Sequence, residues 1–223
     1  MESYKDYIVP KPWGYEYLIF ENDKIGIWML SLKNGNRTSL HCHPDKKTGL
    51  ILLEGNIDVH FLNNFVSFRK FSKIVIREGV FHSSIANEDS IIIEVETPKI
   101  KENLVRMEDF YGRQGKKYES KESYKKRTDE HFWIENVKGN KKIFKSFLFY
   151  IDTISIDTLI QFNPEDLIVV LDDVLLKSKD GFNISKMGDV LSANTLKRLC
   201  SDFELVTECE CLIISKEGIH EDT

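Results

Sequence analysis

GNRTSLHCHPDKKTGLILLEG, Gly35–Gly55, sets two histidines one residue apart between two glycines. A β-strand sends residues i and i+2 to the same face. His41 and His43 are therefore expected to project into one interior, with Cys42 turned the other way. A third histidine, His82, ends the stretch REGVFH and arrives from a different strand. Three imidazoles gathered on one side of an ion leave positions open for water or substrate. That arrangement suits a divalent transition metal: zinc, iron, manganese or nickel.

Outward from this run, the 223 residues are 41% hydrophobic and 30% charged, enough for one large β domain or two small ones. A formal net charge of −5 recommends neither nucleic acid nor an anionic membrane as partner. The opening MESYKDYIVPKPWGYEY lacks the apolar segment of a signal peptide, so a cytoplasmic protein is expected. The longest apolar runs, Ile51–Leu53 and Leu167–Leu171, have strand length and cannot span a bilayer. Cys42, Cys200, Cys209 and Cys211 are too sparse for a disulfide framework and read as reduced thiols.

Short runs rich in Ile, Val, Phe and Leu recur between Asn, Gly and Asp turns: GYEYLIF, KIGIWMLSLK, TGLILLEG, NIDVHFL, FVSFRKF, SKIVIREG and SIIIEVET. Such spacing without helical periodicity predicts an antiparallel sandwich or barrel. The texture then turns charged and apolar-poor, and strand texture resumes in KIFKSFLFYIDTI, IDTLIQF and EDLIVVLDDVLLKS. Only Ala193–Leu199 reads as a short helix in that half. The expected organisation is a metal-binding domain over 1–118, a charged linker over 119–135 and a second β domain over 136–223. The halves look like a weak repeat. Aligning Gly79 with Gly188 puts Leu191 where His82 stands, and the histidines of the later chain, His131 and His220, lie in polar flanks. The second domain is thus expected to lack metal ligands.

The spacing of Gly35, His41, His43, Gly55, Gly79 and His82 resembles the two motifs of the cupin superfamily, G(x)5HxH(x)3–4E(x)6G and PxGxxH. The resemblance implies an all-β jelly-roll barrel, with the second half a degenerate copy in a bicupin. Lys11-Pro12-Trp13-Gly14 and IEVETPKIKENLVRMEDFYGR, Ile93–Arg113, look like the cupin domain of type II mannose-6-phosphate isomerases. The match spans about residues 8–118. It implies a metal site on His41, His43 and His82 and a phosphorylated-sugar substrate.

The departures are specific. Thr48 stands where the family carries a glutamate ligand, Arg77 replaces the proline, and His41 replaces the isomerases' glutamine. Loss of the glutamate leaves a more Lewis-acidic metal and removes a candidate base. Lys46, at an arginine position of the isomerases, and Arg77 are candidate contacts for a substrate anion. Glu94, interrupting an apolar strand, and His60 are candidates for proton transfer.

Three functions follow from this reading. The first is a sugar-phosphate or nucleotide-sugar isomerase of carbohydrate metabolism. The second, implied by the three-histidine shell, is a non-haem iron dioxygenase. The third is a non-catalytic sugar- or metabolite-binding bicupin. A homodimer formed by exchanged edge strands is expected for any of them.

Overall fold

The structure, a computed structural model, describes residues 4–115, 118–206 and 208–216. It divides into two compact units between Trp133 and Ile134. In the first unit the strands are β1 (Tyr7–Lys11), β2 (Gly14–Glu21), β3 (Gly26–Leu32), β4 (Leu40–Cys42), β5 (Lys47–Glu54), β6 (Ile57–His60), β7 (Phe65–Phe68), β8 (Lys73–Ile76), β9 (Ser83–Ala86), β10 (Ser90–Thr97), β11 (Val105–Glu108) and β12 (Lys125–Lys126).

From β3 to β10 the chain pairs outermost with outermost. β3 lies against β10, β5 against β8 and β6 against β7, all antiparallel. The β4 segment is joined to the β9 segment by the bridges Arg37↔Ile85 and His41↔His82. Lateral pairing of β5 with β10 and of β6 with β9 then assembles two sheets. A long hairpin wound on itself in this way is the double-sheet jelly roll found in cupins.

Burial is nearly continuous along β3, β5 and β10, as strands covered on both faces require, and alternates along the short β6. In β6, Ile57 and Val59 are fully buried while Asp58 and His60 are partly exposed. The barrel interior closes with Trp28, Leu30, Leu50, Leu52, Ile57, Val59, Phe68 and Ile92. The motif glycine at the β5–β6 turn is required sterically. Gly55 has φ +84°, and a Cβ there would sit 2.2 Å from Ser90 Oγ and 2.6 Å from Asp89 O. Gly79, at φ +74°, donates its N–H to the His43 carbonyl at 2.8 Å, so the turn before His82 is tied to the end of the HxH run.

The second unit contains β13 (Lys142–Phe144), β14 (Phe147–Thr153), helix α1 (Ile156–Gln161), β15 (Leu167–Val170), β16 (Val174–Lys177), β17 (Asn183–Lys186), β18 (Val190–Ser192), helix α2 (Ala193–Leu199), β19 (Glu204–Leu205) and β20 (Glu210–Lys216). Its sheets run β13-β14-β20-β15-β18 and β17-β16-β19. These pairings repeat those of the first unit, with β14, β15, β16, β17, β18, β19 and β20 answering to β3, β5, β6, β7, β8, β9 and β10. α1 occupies the place in the chain held by β4.

Three expectations change. IDTLIQF, read as a strand, contains α1: Ser155 accepts from Thr158 N–H, and the Thr158 hydroxyl answers the Ser155 N–H, closing a capping box. The Gly79–Gly188 alignment is one hairpin out of step. Gly188 N–H donates to Val170 O as Phe71 N–H donates to Leu52 O, and Val170 N–H and Leu52 N–H return to Asp189 O and Ser72 O. The side chains of Asp189 and Ser72 cap Lys186 N–H and Arg69 N–H alike. Gly188 is therefore the counterpart of Phe71, in the turn before β18, and Leu191 does not stand at the position of His82. Finally, the stretch read as a charged linker, 119–135, contributes a strand to the first unit: β12 extends the sheet at the β1 edge through Tyr7↔Lys126 and Ile8↔Lys125. His220 lies outside the described residues. No helix among them is long and apolar enough to cross a membrane.

Candidate metal centre

His41 lies in β4, His43 directly after it and His82 directly before β9. Because β4 and β9 meet through the His41↔His82 bridge, the jelly-roll closure brings all three rings together. Their ligand nitrogens lie within 4.8 Å of one another, the only such cluster of metal-binding side chains among the described residues. Ring centroids are 4.6 Å apart for His41–His82, 4.9 Å for His41–His43 and 5.5 Å for His43–His82.

Each ring is oriented by a backbone carbonyl. Nδ1 of His41 meets Ser39 O at 2.7 Å, Nδ1 of His43 meets Asn103 O at 2.6 Å, and Nδ1 of His82 meets Val80 O at 3.0 Å. A carbonyl oxygen only accepts, so each Nδ1 carries the proton and each Nε2 presents a lone pair. The anchored tautomer is that of a metal-ligating histidine with its outer partner in place. His43 Nε2 is buried and has no hydrogen-bond partner.

Burial holds all three rings neutral. It is the leading cause pushing His43 down to about 3, with Lys46 adding to it, and His82 down to about 4. His41 is also driven well below its ordinary value, by burial and then by its two histidine neighbours. Neutral imidazoles with converging lone pairs fit a divalent transition metal.

The cavity beside this cluster is about 60 Å³, room for a few waters, and its walls are densely charged. Glu94 and Glu96, two residues apart on β10, both face it. Lys46 Nζ donates to Glu96 Oε1 at 2.6 Å, and Lys101 Nζ reaches the same oxygen at 3.0 Å, Glu94 at 3.2 Å and Glu16 at 3.2 Å. The Tyr118 hydroxyl also donates to Glu16. Despite burial, the carboxylates of Glu16, Glu96 and Glu94 hold the Lys101 ammonium well above its usual range.

Thr48, at the expected carboxylate position, is fully buried and its hydroxyl has no partner. In the β5–β10 register it stands directly opposite Glu96, whose Oε2 is likewise buried without a partner. A carboxylate thus enters the barrel from the neighbouring strand rather than from β5. The signal for it was present in IIIEVET, where two glutamates with period two interrupt an apolar strand. Glu16, Lys101 and Tyr118 come together only in the fold.

The other candidates are placed differently. Lys46, expected to meet a substrate anion, is fully buried and committed to Glu96. Arg77 is exposed beyond the end of β8 and is not among the residues lining the cavity. His60 stacks on Phe65 at 5.1 Å on the partly exposed face of β6, opposite to Ile57 and Val59. Cys42, Cys209 and Cys211 are buried free thiols.

No family model matches the chain, and no curated protein matches it. Among solved structures it is similar to KdgF from Halomonas sp., with 16% identity over 43% of this chain and 89% of that one and a TM-score of 0.41. It is also similar to an RmlC-like cupin protein from Desulfovibrio desulfuricans, with 18% identity, 38% and 82% coverage and a TM-score of 0.36. A third likeness is to the DMSP lyase DddQ from Ruegeria pomeroyi, with 13% identity, 41% and 50% coverage and a TM-score of 0.38. At such low scores these likenesses decide nothing. The strand pairing itself makes the first unit an all-β, double-sheet jelly roll.

Proposed function

We propose that the protein is a metal-dependent cupin enzyme of carbohydrate metabolism that interconverts an aldose phosphate and its ketose. The observation carrying this reading is the convergence of three carbonyl-anchored histidines on a cavity that two β10 carboxylates also face. His41, His43 and His82 would hold the metal through Nε2. When bound, the metal would polarise the sugar's carbonyl and hydroxyl oxygens.

Glu94 is the group we assign to proton transfer. Glu96 is clasped by lysines at 2.6 and 3.0 Å, whereas Glu94 meets Lys101 at 3.2 Å and is the less tightly held. Its carboxylate would take the proton from the carbon bearing the hydroxyl and return it to the former carbonyl carbon, while the hydroxyl's own proton passes to the former carbonyl oxygen. Electrons and atoms balance without a further reactant. Burial of the lysine–carboxylate network keeps its geometry fixed and bulk water scarce.

The test is metal analysis of the purified protein followed by incubation with mannose 6-phosphate or fructose 6-phosphate. Conversion of either sugar phosphate into the other by a metal-loaded sample is the expected result; none with any of zinc, iron, manganese or nickel would defeat the reading. The absence of any carboxylate from the three-histidine cluster favours a second reading, a non-haem iron dioxygenase. Oxygen uptake by the iron-loaded protein with candidate thiols would decide for it.

A further inference from the structure

Beside the histidine cluster, one carboxylate in the first unit is held by three cations. Glu119 receives Lys11 Nζ from the end of β1, Arg113 Nη1 at 2.7 Å and Arg106 Nη2 at 3.8 Å from β11. The four side chains are 4%, 13%, 3% and 13% exposed for Lys11, Arg113, Arg106 and Glu119, so this is no solvated surface pair. Lys11, Arg106 and Arg113 line the same cavity as His41 and His43. Arg106 is the cross-strand partner of His41 in the β4–β11 register, so the cradle begins one pairing step from the histidine cluster.

The geometry points to Lys11, Arg106 and Arg113 as a subsite for the phosphate of a phosphomonoester, with Glu119 the internal anion that occupies it until ligand arrives. The inference rests on the proposed sugar-phosphate chemistry and names its anion contact. Of the candidates from sequence, Lys46 lines the same cavity but is paired to Glu96, and Arg77 is exposed outside the lining.

Exchange is chemically reasonable because the cations do not depend on Glu119 alone. Lys11 lies 3.4 Å from Glu16, and Arg113 keeps Asp109 at 2.7 Å. Departure of the Glu119 carboxylate removes one negative charge from a site holding three positive ones. A phosphate dianion restores it with one to spare, and its three oxygens match a guanidinium fork and an ammonium better than a carboxylate does. Burial opposes a charged Glu119, yet Lys11 holds it below the ordinary carboxylate range, so the plug is an anion as the exchange requires.

Chelator-treated, metal-free protein titrated calorimetrically with inorganic phosphate and with fructose 6-phosphate tests this without calling on turnover. Glu119→Gln, or Glu119→Ala should the amide disturb the fold, is expected to tighten both ligands at least tenfold, and the ester more than the free anion. Adding Arg113→Met to Glu119→Gln should abolish the gain, whereas Arg77→Ala, at an exposed position outside the cavity lining, should keep the wild-type affinity. Unchanged affinity in folded Glu119 variants, a gain that survives Arg113→Met, or a gain for inorganic phosphate alone would overturn the subsite. Tightened phosphate binding without isomerisation would sink the proposed activity and leave the cradle. Isomerisation with phosphate affinity equal in all variants would do the reverse.

Discussion

The two units share a strand-pairing scheme and differ in what fills the barrel. In the first, Glu94 pairs with Leu50 across β5–β10; in the second, Ile213 pairs with Ile168 across β15–β20 at the same register position. Ile213 belongs to a wholly apolar cluster with Ile154, Leu159, Val170, Leu175, Cys209 and Cys211. The chain segment that carries His41 and His43 in the first unit is helix α1 in the second, and its buried Leu159 joins that cluster. One copy of the scheme spends its interior on burying apolar surface. The other accepts the desolvation of five or more charges, which is tolerable only because each faces a partner. The comparison teaches that the jelly roll does not itself make a site: a site needs an open strand at β4 and polar residues on the inward face of β10.

The contrast breaks most readily at turnover. Glu94→Gln keeps size and removes the base, so isomerase activity is expected to fall by about a hundredfold or more with metal content unchanged. A loss of metal along with activity would instead make Glu94 structural.

Next comes metal affinity. His43→Ala removes a ligand whose Nε2 has no other role, and competition against a chelator should show a loss beyond the roughly 10- to 100-fold typical of outer-shell changes. Cys211→Ser, in the second unit, should leave affinity as it was. If the cysteine change matters and the histidine change does not, the assignment of chemistry to the first unit fails.

Acid separates the units too. His82 and His43 titrate near 6.5 when unfolded but only at about 4 and about 3 in the fold. Between those values the unfolded chain binds more protons, so stability of the metal-free protein falls as pH drops from about 6.5 to about 3. Above 6.5 both states are neutral and the effect vanishes. His82 alone is expected to cost about 3 kcal/mol across its window. Trp13, Trp28 and Trp133 all precede Ile134, so tryptophan fluorescence reports this loss for the first unit, and His82→Gln should blunt it.

The smallest effect concerns the shared turn. Gly188 at φ +79° and Phe71 at φ +71° occupy equivalent left-handed positions. Gly188→Ala is expected to lose about 1 kcal/mol in urea unfolding followed by circular dichroism. No loss would mean that the two turns are not equivalent.

Much of the fold was legible because strands leave a trace in the sequence: β6 can be read from the alternation in NIDVHFL and β10 from the short apolar run in SIIIEVET. The turn glycines were legible because positive φ restricts the choice of residue. α1 was not, since six residues carry too little periodicity and its evidence is a serine–threonine cap. The offset of the repeat was hidden because Phe71 sits where Gly188 sits, so matching glycine to glycine slipped the alignment by one hairpin.

The sequence by itself determined that His41, His43 and His82 form a set, since an HxH on a strand and a histidine after a glycine turn fix their faces. It determined the absence of a glutamate at position 48. Only the tertiary structure decided that Glu96 stands across from Thr48, that Lys46 is spent on Glu96, and that Lys11, Arg106 and Arg113 close on Glu119. The reason is physical. Strand periodicity is a local property that one segment carries alone, whereas a buried charge finds its partner through register between strands far apart in the chain.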